Sequence, residues 1–238
     1  MKIALYGHGR MGKAIEAVCG TRGHDVVLAV GRENSGTPPI GADVAIEFSV
    51  PDQAIANIDL CLQHGVPVVV GTTGWYDQLP RVEALVASSK GALLWASNFS
   101  LGVNLMFRLN RMLASLIDPY PAYGVHIDEV HHVHKLDAPS GTALTLARDI
   151  DLHAQRFHGW RKGEAGEASA HGAVPIISER KGEVLGKHSV SWTSEEDRLV
   201  LTHEAFGRTG FAAGAVIAAE WLLGRTGTYT MDDVLSNP

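Results

Sequence analysis

Lys2-Ile3-Ala4-Leu5-Tyr6-Gly7-His8-Gly9-Arg10-Met11-Gly12 is the stretch whose reading decides the fold. A short apolar run, Ile3 to Tyr6, breaks into a glycine turn, and the amphipathic stretch Met11 to Val18 follows at once. Strand, glycine turn and helix in that order are the setting in which G-x-G-x-x-G spacing carries meaning. The first glycine permits the tight turn, the second lets a pyrophosphate approach the backbone, and the third lets the helix press on the strand. Free N–H groups at the helix N-terminus then point at phosphate oxygens. Gly7, His8, Gly9, Arg10, Met11 and Gly12 are therefore candidate dinucleotide-binding residues.

Outward from this unit the same grammar repeats. Further apolar runs lie at Val26 to Val30, Val44 to Phe48, Val66 to Val70 and Leu93 to Ala96, separated by helical spacing at Asp52 to Leu62 and Gln78 to Val86. Gly23, Gly65 and Gly91 fall where those helices end. Strands alternating with helices predict a doubly wound parallel sheet. After Asn98-Phe99-Ser100 the pattern changes to a helix from Val103 to Leu116, a strand from Tyr123 to Val133 and a helix opened by Pro139-Ser140-Gly141-Thr142. A polar loop, Gly163 to Ser169, then precedes strand patterns at Pro175 to Glu179, His188 to Trp192 and Arg198 to Glu204. The fold class is thus α/β, a dinucleotide-binding domain plus a smaller α+β domain with an open mixed sheet. Because the apolar helix Phe211 to Leu223 is expected to return to the first sheet, the boundaries read 1–101 and 207–238 for one domain and 102–206 for the other.

Bulk properties exclude several classes. The 238 residues carry a formal net charge of -6, which gives no overall field for nucleic acid. Two cysteines, Cys19 and Cys61, are too few for a disulfide framework, and the N-terminus lacks the apolar core of a signal peptide. No segment reaches membrane-spanning length. A cytoplasmic location with no membrane partner is expected.

At the end of the second strand the sequence reads Val30-Gly31-Arg32-Glu33. Dinucleotide folds usually place an acidic residue there to accept hydrogen bonds from the ribose. Arg32 instead offers a forked cation suited to a 2′-phosphate, so NADPH is the expected cofactor and NADH the alternative. Gly71-Thr72-Thr73-Gly74 and Ala96-Ser97-Asn98-Phe99 end the fourth and fifth strands, where ligands meet parallel sheets. Their backbone groups are candidates to hold the nicotinamide and its ribose.

The segment Glu129-Val130-His131-His132-Val133-His134-Lys135-Leu136-Asp137-Ala138-Pro139-Ser140-Gly141-Thr142-Ala143 gathers three imidazoles and an ammonium before a helix start. Ser140 is an N-cap candidate, and Gly141 and Thr142 present N–H groups at the positive helix end, a cradle for a carboxylate. A small dianionic substrate suits it, and His and Lys supply proton donors.

On these residues the sequence resembles the 4-hydroxy-tetrahydrodipicolinate reductase family, also called dihydrodipicolinate reductase, as a short-chain member. The resemblance spans nearly the whole chain and rests on Gly7 to Gly12, Gly71 to Gly74, Asn98-Phe99-Ser100, the His131 to Ala143 motif and the closing Phe211-Ala212-Ala213-Gly214-Ala215 with Trp221-Leu222. It implies hydride transfer from NAD(P)H to a cyclic imine dicarboxylate, giving tetrahydrodipicolinate in lysine and diaminopimelate biosynthesis. His131 then matches the acid or base and Lys135 the proton donor, while His132, Gly141 and Thr142 match groups holding substrate carboxylates. Family members form homotetramers through the mixed sheet, which makes the second domain one for substrate binding and oligomerisation. Two departures stand out: Asn34 to Ala42 is a brief connection, and Gly31 replaces the acidic ribose ligand.

Two rival readings remain at the level of sequence. A metal-dependent hydrolase would use His131, His132 and His134 with Asp128 or Glu129, but strand neighbours alternate faces and would not converge on one ion; no metal is expected. A non-catalytic NAD(P) sensor has little use for His131 and Lys135 beside an anion cradle. His188 and His203 read as packed or solvated strand residues, and Arg208 as a residue near the substrate or hinge.

Overall fold

Ile3, Ala4, Leu5 and Tyr6 are all buried, because a parallel strand between two layers of helices has no wet face. The computed structural model describes residues 1–207 and 209–236, so Arg208 lies outside the described residues. Its first part runs β1 (Lys2–Tyr6), α1 (Arg10–Thr21), β2 (Asp25–Val30), β3 (Val44–Glu47), α2 (Pro51–Gln63), β4 (Val68–Val70), a 3-10 turn (Tyr76–Gln78), α3 (Leu79–Ser89) and β5 (Ala92–Trp95). The second part runs α4 (Leu101–Ile117), β6 (Gly124–His131), α5 (Gly141–His153), β7 (Phe157–Lys162), β8 (Gly172–Arg180), β9 (Lys187–Thr193) and β10 (Arg198–Glu204). The chain closes with α6 (Thr209–Leu222), β11 (Gly227–Tyr229) and α7 (Met231–Ser236).

Two compact units result, Met1–Leu101 with Arg208–Pro238, and Gly102–Gly207. In the first, six parallel strands stand in the order β2-β1-β3-β4-β5-β11. Ile15 and Val18 of α1, Val216 of α6 and Met231 of α7 fill one face, while Ile58 of α2 and Val82 of α3 fill the other. Small residues let α6 lie close to the chain: a Cβ on Gly214 would sit 1.7 Å from the Phe99 carbonyl oxygen. From β1 the chain steps to β2 on one side and then crosses to β3 on the other. The carboxyl ends of β1 and β3 therefore form the switch point at which such sheets bind ligands.

The second unit is a mixed sheet in the order β10-β9-β6-β8-β7, with β8 parallel to β6 and β7 and the other pairs antiparallel. Alternate residues Val125, Ile127, Val174, Ile176, Val190 and Trp192 meet α4 and α5 on one face. The doubly wound and mixed sheets read from the sequence are thus both present. Strand β7 was not expected: Gly159 interrupts Phe157-His158-Gly159-Trp160, and the register with β8 slips between Phe157 and Trp160, so the alternation that signals a strand is absent. Short β11 and α7 were likewise unread. The third helix stops on Lys90, at φ 52 in the left-handed region, one residue before the expected Gly91. No helix among the described residues is long and apolar enough to cross a membrane.

Candidate active site

The switch point opens into a cleft of about 530 Å³ whose lining includes Gly7, Gly9, Gly31, Arg32, Ser49 and Asn57. The three fingerprint glycines, Gly7, Gly9 and Gly12, do three different things. Gly7 has φ +94, and a Cβ there would lie 2.1 Å from the Phe48 carbonyl oxygen. A Cβ on Gly12 would lie 2.2 Å from the Gly7 carbonyl oxygen, so α1 can start only against a bare backbone. On Gly9 a Cβ would meet no protein atom within 4 Å. What Gly9 leaves room for is therefore not protein, and the N-terminus of α1 beside it suits a pyrophosphate. Gly12→Ala is expected to destabilise the fold by about 1–3 kcal/mol through overpacking, read by urea denaturation. Gly9→Ala should leave stability unchanged and weaken dinucleotide binding; equal stability losses in both would reject the distinction.

Below the cleft lies Glu47, fully buried at the end of β3. Its Oε1 accepts from Ser49 N at 3.1 Å, from the Ser49 hydroxyl and from Asn57 Nδ2 at 3.3 Å. Burial holds its carboxyl above the usual carboxylate range. The candidate loops are split between floor and lining. Thr72 is buried, its Oγ1 accepting from Ser49 N at 2.8 Å, and the Phe99 ring packs 5.6 Å from that of Phe48 in the core. Thr73 and Ser97 are exposed, as are Arg10 and Arg32. Gly71 faces the Phe48 ring, which a Cβ would meet at 2.1 Å.

In the second unit, register builds a cluster of titratable side chains. Glu129 of β6 pairs with Ser178 of β8 on one side and His188 of β9 on the other, and His131 pairs with Arg180. All share the parity of Val125 and Ile127, so they face the helix side of the sheet, at the N-terminus of α5. Ser140 caps α5 by accepting from Ala143 N at 3.3 Å. Its own N–H donates to both oxygens of Glu129, at 3.1 and 3.0 Å, and its Oγ lies 3.0 Å from His188 Nε2. His131 Nδ1 is buried 3.4 Å from Glu129 Oε2, with no hydrogen-bond partner among the described residues. Lys135 Nζ pairs with Asp137 Oδ1 at 2.8 Å.

Electrostatics follow from this packing. Burial alone would raise the Glu129 carboxyl, but hydrogen bonds from Ser140 and Ser178 and the charge of His131 outweigh it and hold it low. Burial pushes His131 below the ordinary imidazole value, Glu129 opposing and Lys135 and Arg180 assisting. His188, buried against His131, is pushed down to about 4. Burial thus favours the neutral form of both rings.

Two family models, described as the N-terminus and the C-terminus of dihydrodipicolinate reductase, match residues 37–99 and 102–235. A 4-hydroxy-tetrahydrodipicolinate reductase from Christiangramia forsetii is 45% identical over 239 residues, covering 100% of this chain and 98% of the relative. The chain belongs to the dihydrodipicolinate reductase family. A dihydrodipicolinate reductase is an NAD(P)H-dependent oxidoreductase, and the first unit carries the cleft such a cofactor needs. Another 4-hydroxy-tetrahydrodipicolinate reductase, from Neisseria gonorrhoeae, is 34% identical over 268 aligned positions, covering 99% of this chain and 97% of the relative. Among solved structures, the dipicolinate-bound dihydrodipicolinate reductase of Paenisporosarcina sp. TG-14 superposes with a TM-score of 0.77 at 26% identity, over 97% of each chain. A probable dehydrogenase from Thermotoga maritima, 10% identical, with a TM-score of 0.57 over 98% of this chain and 92% of its own, shares the fold alone.

Within this chain the motif residues separate into two groups. His131 joins the buried cluster, whereas His132 follows the end of β6 and its ring lies 6.0 Å from that of His134. His134 is mostly exposed and pairs with Glu183 at 3.3 Å. The hydrolase trio of histidines therefore does not gather. Glu129, His131 and His188 do place ligand atoms within 4.8 Å of one another. However, Arg180 Nη2 sits 3.2 Å from Glu129 and Ser140 already holds His188, so a cation would have to displace both. Gly141 is exposed, with nothing within 4 Å of an added Cβ, so the helix start it forms with Thr142 is open on that side. His188, Arg180 and Gly186 are the neighbours that the motif alone did not reveal. A Cβ on Gly186 would press within 3.2 Å of His131 Nε2.

Proposed function

We propose that the chain reduces 4-hydroxy-tetrahydrodipicolinate to tetrahydrodipicolinate with NADPH, as a step toward diaminopimelate and lysine. The observation that carries this reading is the gathering of His131, Lys135 and the open start of α5 in one short segment locked onto Glu129. The first unit holds the dinucleotide through Gly7 to Gly12, Gly71 to Thr73 and Ala96 to Phe99. The second unit holds the dicarboxylate through His132, Gly141 and Thr142. When bound, the nicotinamide supplies a hydride to the electron-poor ring. Lys135 donates the proton that completes the reduction. His131, whose neutral form burial favours, can take the proton from the ring C–H bond that breaks and pass it to the departing hydroxyl, so that the loss of water forms the ring double bond and consumes no net proton.

Arg32 supports NADPH over NADH, since it is exposed at the rim of the cleft beside Gly31, where a ribose-binding carboxylate would otherwise stand. Arg32→Ala is expected to raise the KM for NADPH about tenfold and that for NADH by less than about twofold. Equal changes would discard the assignment. The same steady-state assay, with enzymatically generated hydroxy-tetrahydrodipicolinate, tests the whole reading: an enzyme that oxidises neither cofactor would overturn it. A dinucleotide sensor would bind NADPH without turnover.

Further support concerns assembly and location. Both helices of the second unit pack on one face of the mixed sheet, leaving the other face for a homotetramer, which sedimentation would detect. Free, buried Cys19 and Cys61 suit a reducing cytoplasm.

A further inference from the structure

We infer that the Glu129–Arg180 pair is the positioning device of the reacting centre, setting His131, Lys135 and the start of α5 from a single point. The inference rests on the reading of those groups just given. Glu129 is fully buried, and its two oxygens hold Ser140 N, so the carboxylate fixes where α5 begins and where the amides of Gly141 and Thr142 point. Oε2 also stands 3.4 Å behind His131 Nδ1. A carboxylate there favours the tautomer with its proton on Nδ1, leaving Nε2 as the working nitrogen, on the side where Gly186 keeps space open.

Arg180 supplies the other half. Its Nη2 meets Glu129 Oε1 at 3.2 Å and also donates to the Asp137 carbonyl oxygen, while its Nε donates to the Lys135 carbonyl oxygen at 3.3 Å. The guanidinium thus spans the main chain of the segment that carries Lys135 and refers it to the same carboxylate. Only a planar fork reaches three such acceptors at once; an ammonium has the charge but not the geometry. Neither side chain is asked to touch substrate. The consequence of losing the pair is misplacement, for which a shift of about 1 Å costs roughly 100-fold in rate.

The test compares Glu129→Gln, Arg180→Met, Arg180→Lys and the double variant Glu129→Gln/Arg180→Met in the full-length enzyme. Each single neutralising variant leaves an uncompensated charge and should lower Tm by on the order of 10 °C, whereas the double variant should recover most of that loss. Turnover separates positioning from mere stability. In the double variant kcat should remain about 100-fold down with the KM for NADPH within about twofold, and Arg180→Lys should regain Tm without regaining kcat. A double variant that recovers both Tm and kcat would show the pair to be only structural. Titration of the His131 ring by NMR gives an independent reading: in Glu129→Gln its midpoint should fall, since the Glu129 charge supports the imidazolium. An unchanged midpoint would overturn the His131 arm. Lys135→Ala, run alongside, keeps the two failures apart. Full turnover there would sink the reacting centre and this inference with it; loss there beside wild-type turnover in the double variant would sink the inference alone.

Discussion

Lys135→Ala is expected to lower kcat by about two to four orders of magnitude, the span that positioned proton transfer contributes, with NADPH affinity within about twofold of wild type. The side chain keeps 24% of its accessible surface and makes one ion pair, to Asp137, itself 57% exposed. Truncation therefore abandons no buried charge and should cost less than about 1 kcal/mol of stability. Asp137 reports the same pair from its other side: burial alone would raise its carboxyl, but the hydrogen bond from Lys135 holds it low. The loop itself stays anchored, because Arg180 grips the Lys135 carbonyl and not its side chain. Loss confined to kcat, with kcat/KM falling in parallel, marks an interaction made only in the transition state. Lys135→Arg sharpens the test. A guanidinium keeps the positive charge but does not release its proton, so kcat should stay as low as in Lys135→Ala, with the KM for the dicarboxylate again unchanged. Loss of NADPH binding in Lys135→Ala would remove Lys135 from the proposed role.

The first unit was legible because each of its signals is local. Gly7, Gly9 and Gly12 fall within six residues, and the strand before them and the helix after them are contiguous in the chain. Their separate roles, a turn, an approach and a packing contact, match the spacing because helix geometry fixes it. Thr72 and Phe99 show the limit of that reasoning. Both sit in turns at strand ends, yet their side chains brace Ser49 and Phe48 from within, since a turn at a switch point has a floor as well as a mouth.

In the second unit the helix start was legible and its support was not. Ser140 signals a cap through its own residue type, and it caps as expected. Arg180 and His188 lie 45 or more residues beyond Lys135 and reach the cluster only through the register of β8 and β9 with β6. Register depends on the pattern of whole strands, so a lone histidine at position 188 looks like any packed strand residue until its partner across the ladder proves to be Glu129. Strand alternation argued from the sequence against a shared site for His131, His132 and His134. The end of β6 at His131 separates the first from the other two.

Acid should destabilise the fold over an unusually neutral window because of His188. Burial beside His131 lowers this imidazole from 6.5 to about 4. Between those values the unfolded chain binds a proton at residue 188 that the folded chain refuses, so stability falls as the pH drops through the window. At roughly 1.4 kcal/mol per pH unit, the full loss across that window is about 3.5 kcal/mol, roughly 300-fold in the folding constant. The structural consequence is specific. The Ser140 hydroxyl accepts from Ala143 N, which leaves its own proton to donate to His188 Nε2. Protonation turns that nitrogen from acceptor to donor, so the Ser140 hydroxyl must turn over to accept from it and its own proton loses this partner at the start of α5. Urea denaturation from pH 7 to pH 4.5 should show a slope that His188→Gln flattens, even if the variant is less stable at pH 7. The same slope in both proteins would mean that the acid-labile group lies elsewhere. Turnover of the folded wild type should hold over that window and decline only as the pH nears about 4, where the ring itself takes up a proton beside the start of α5.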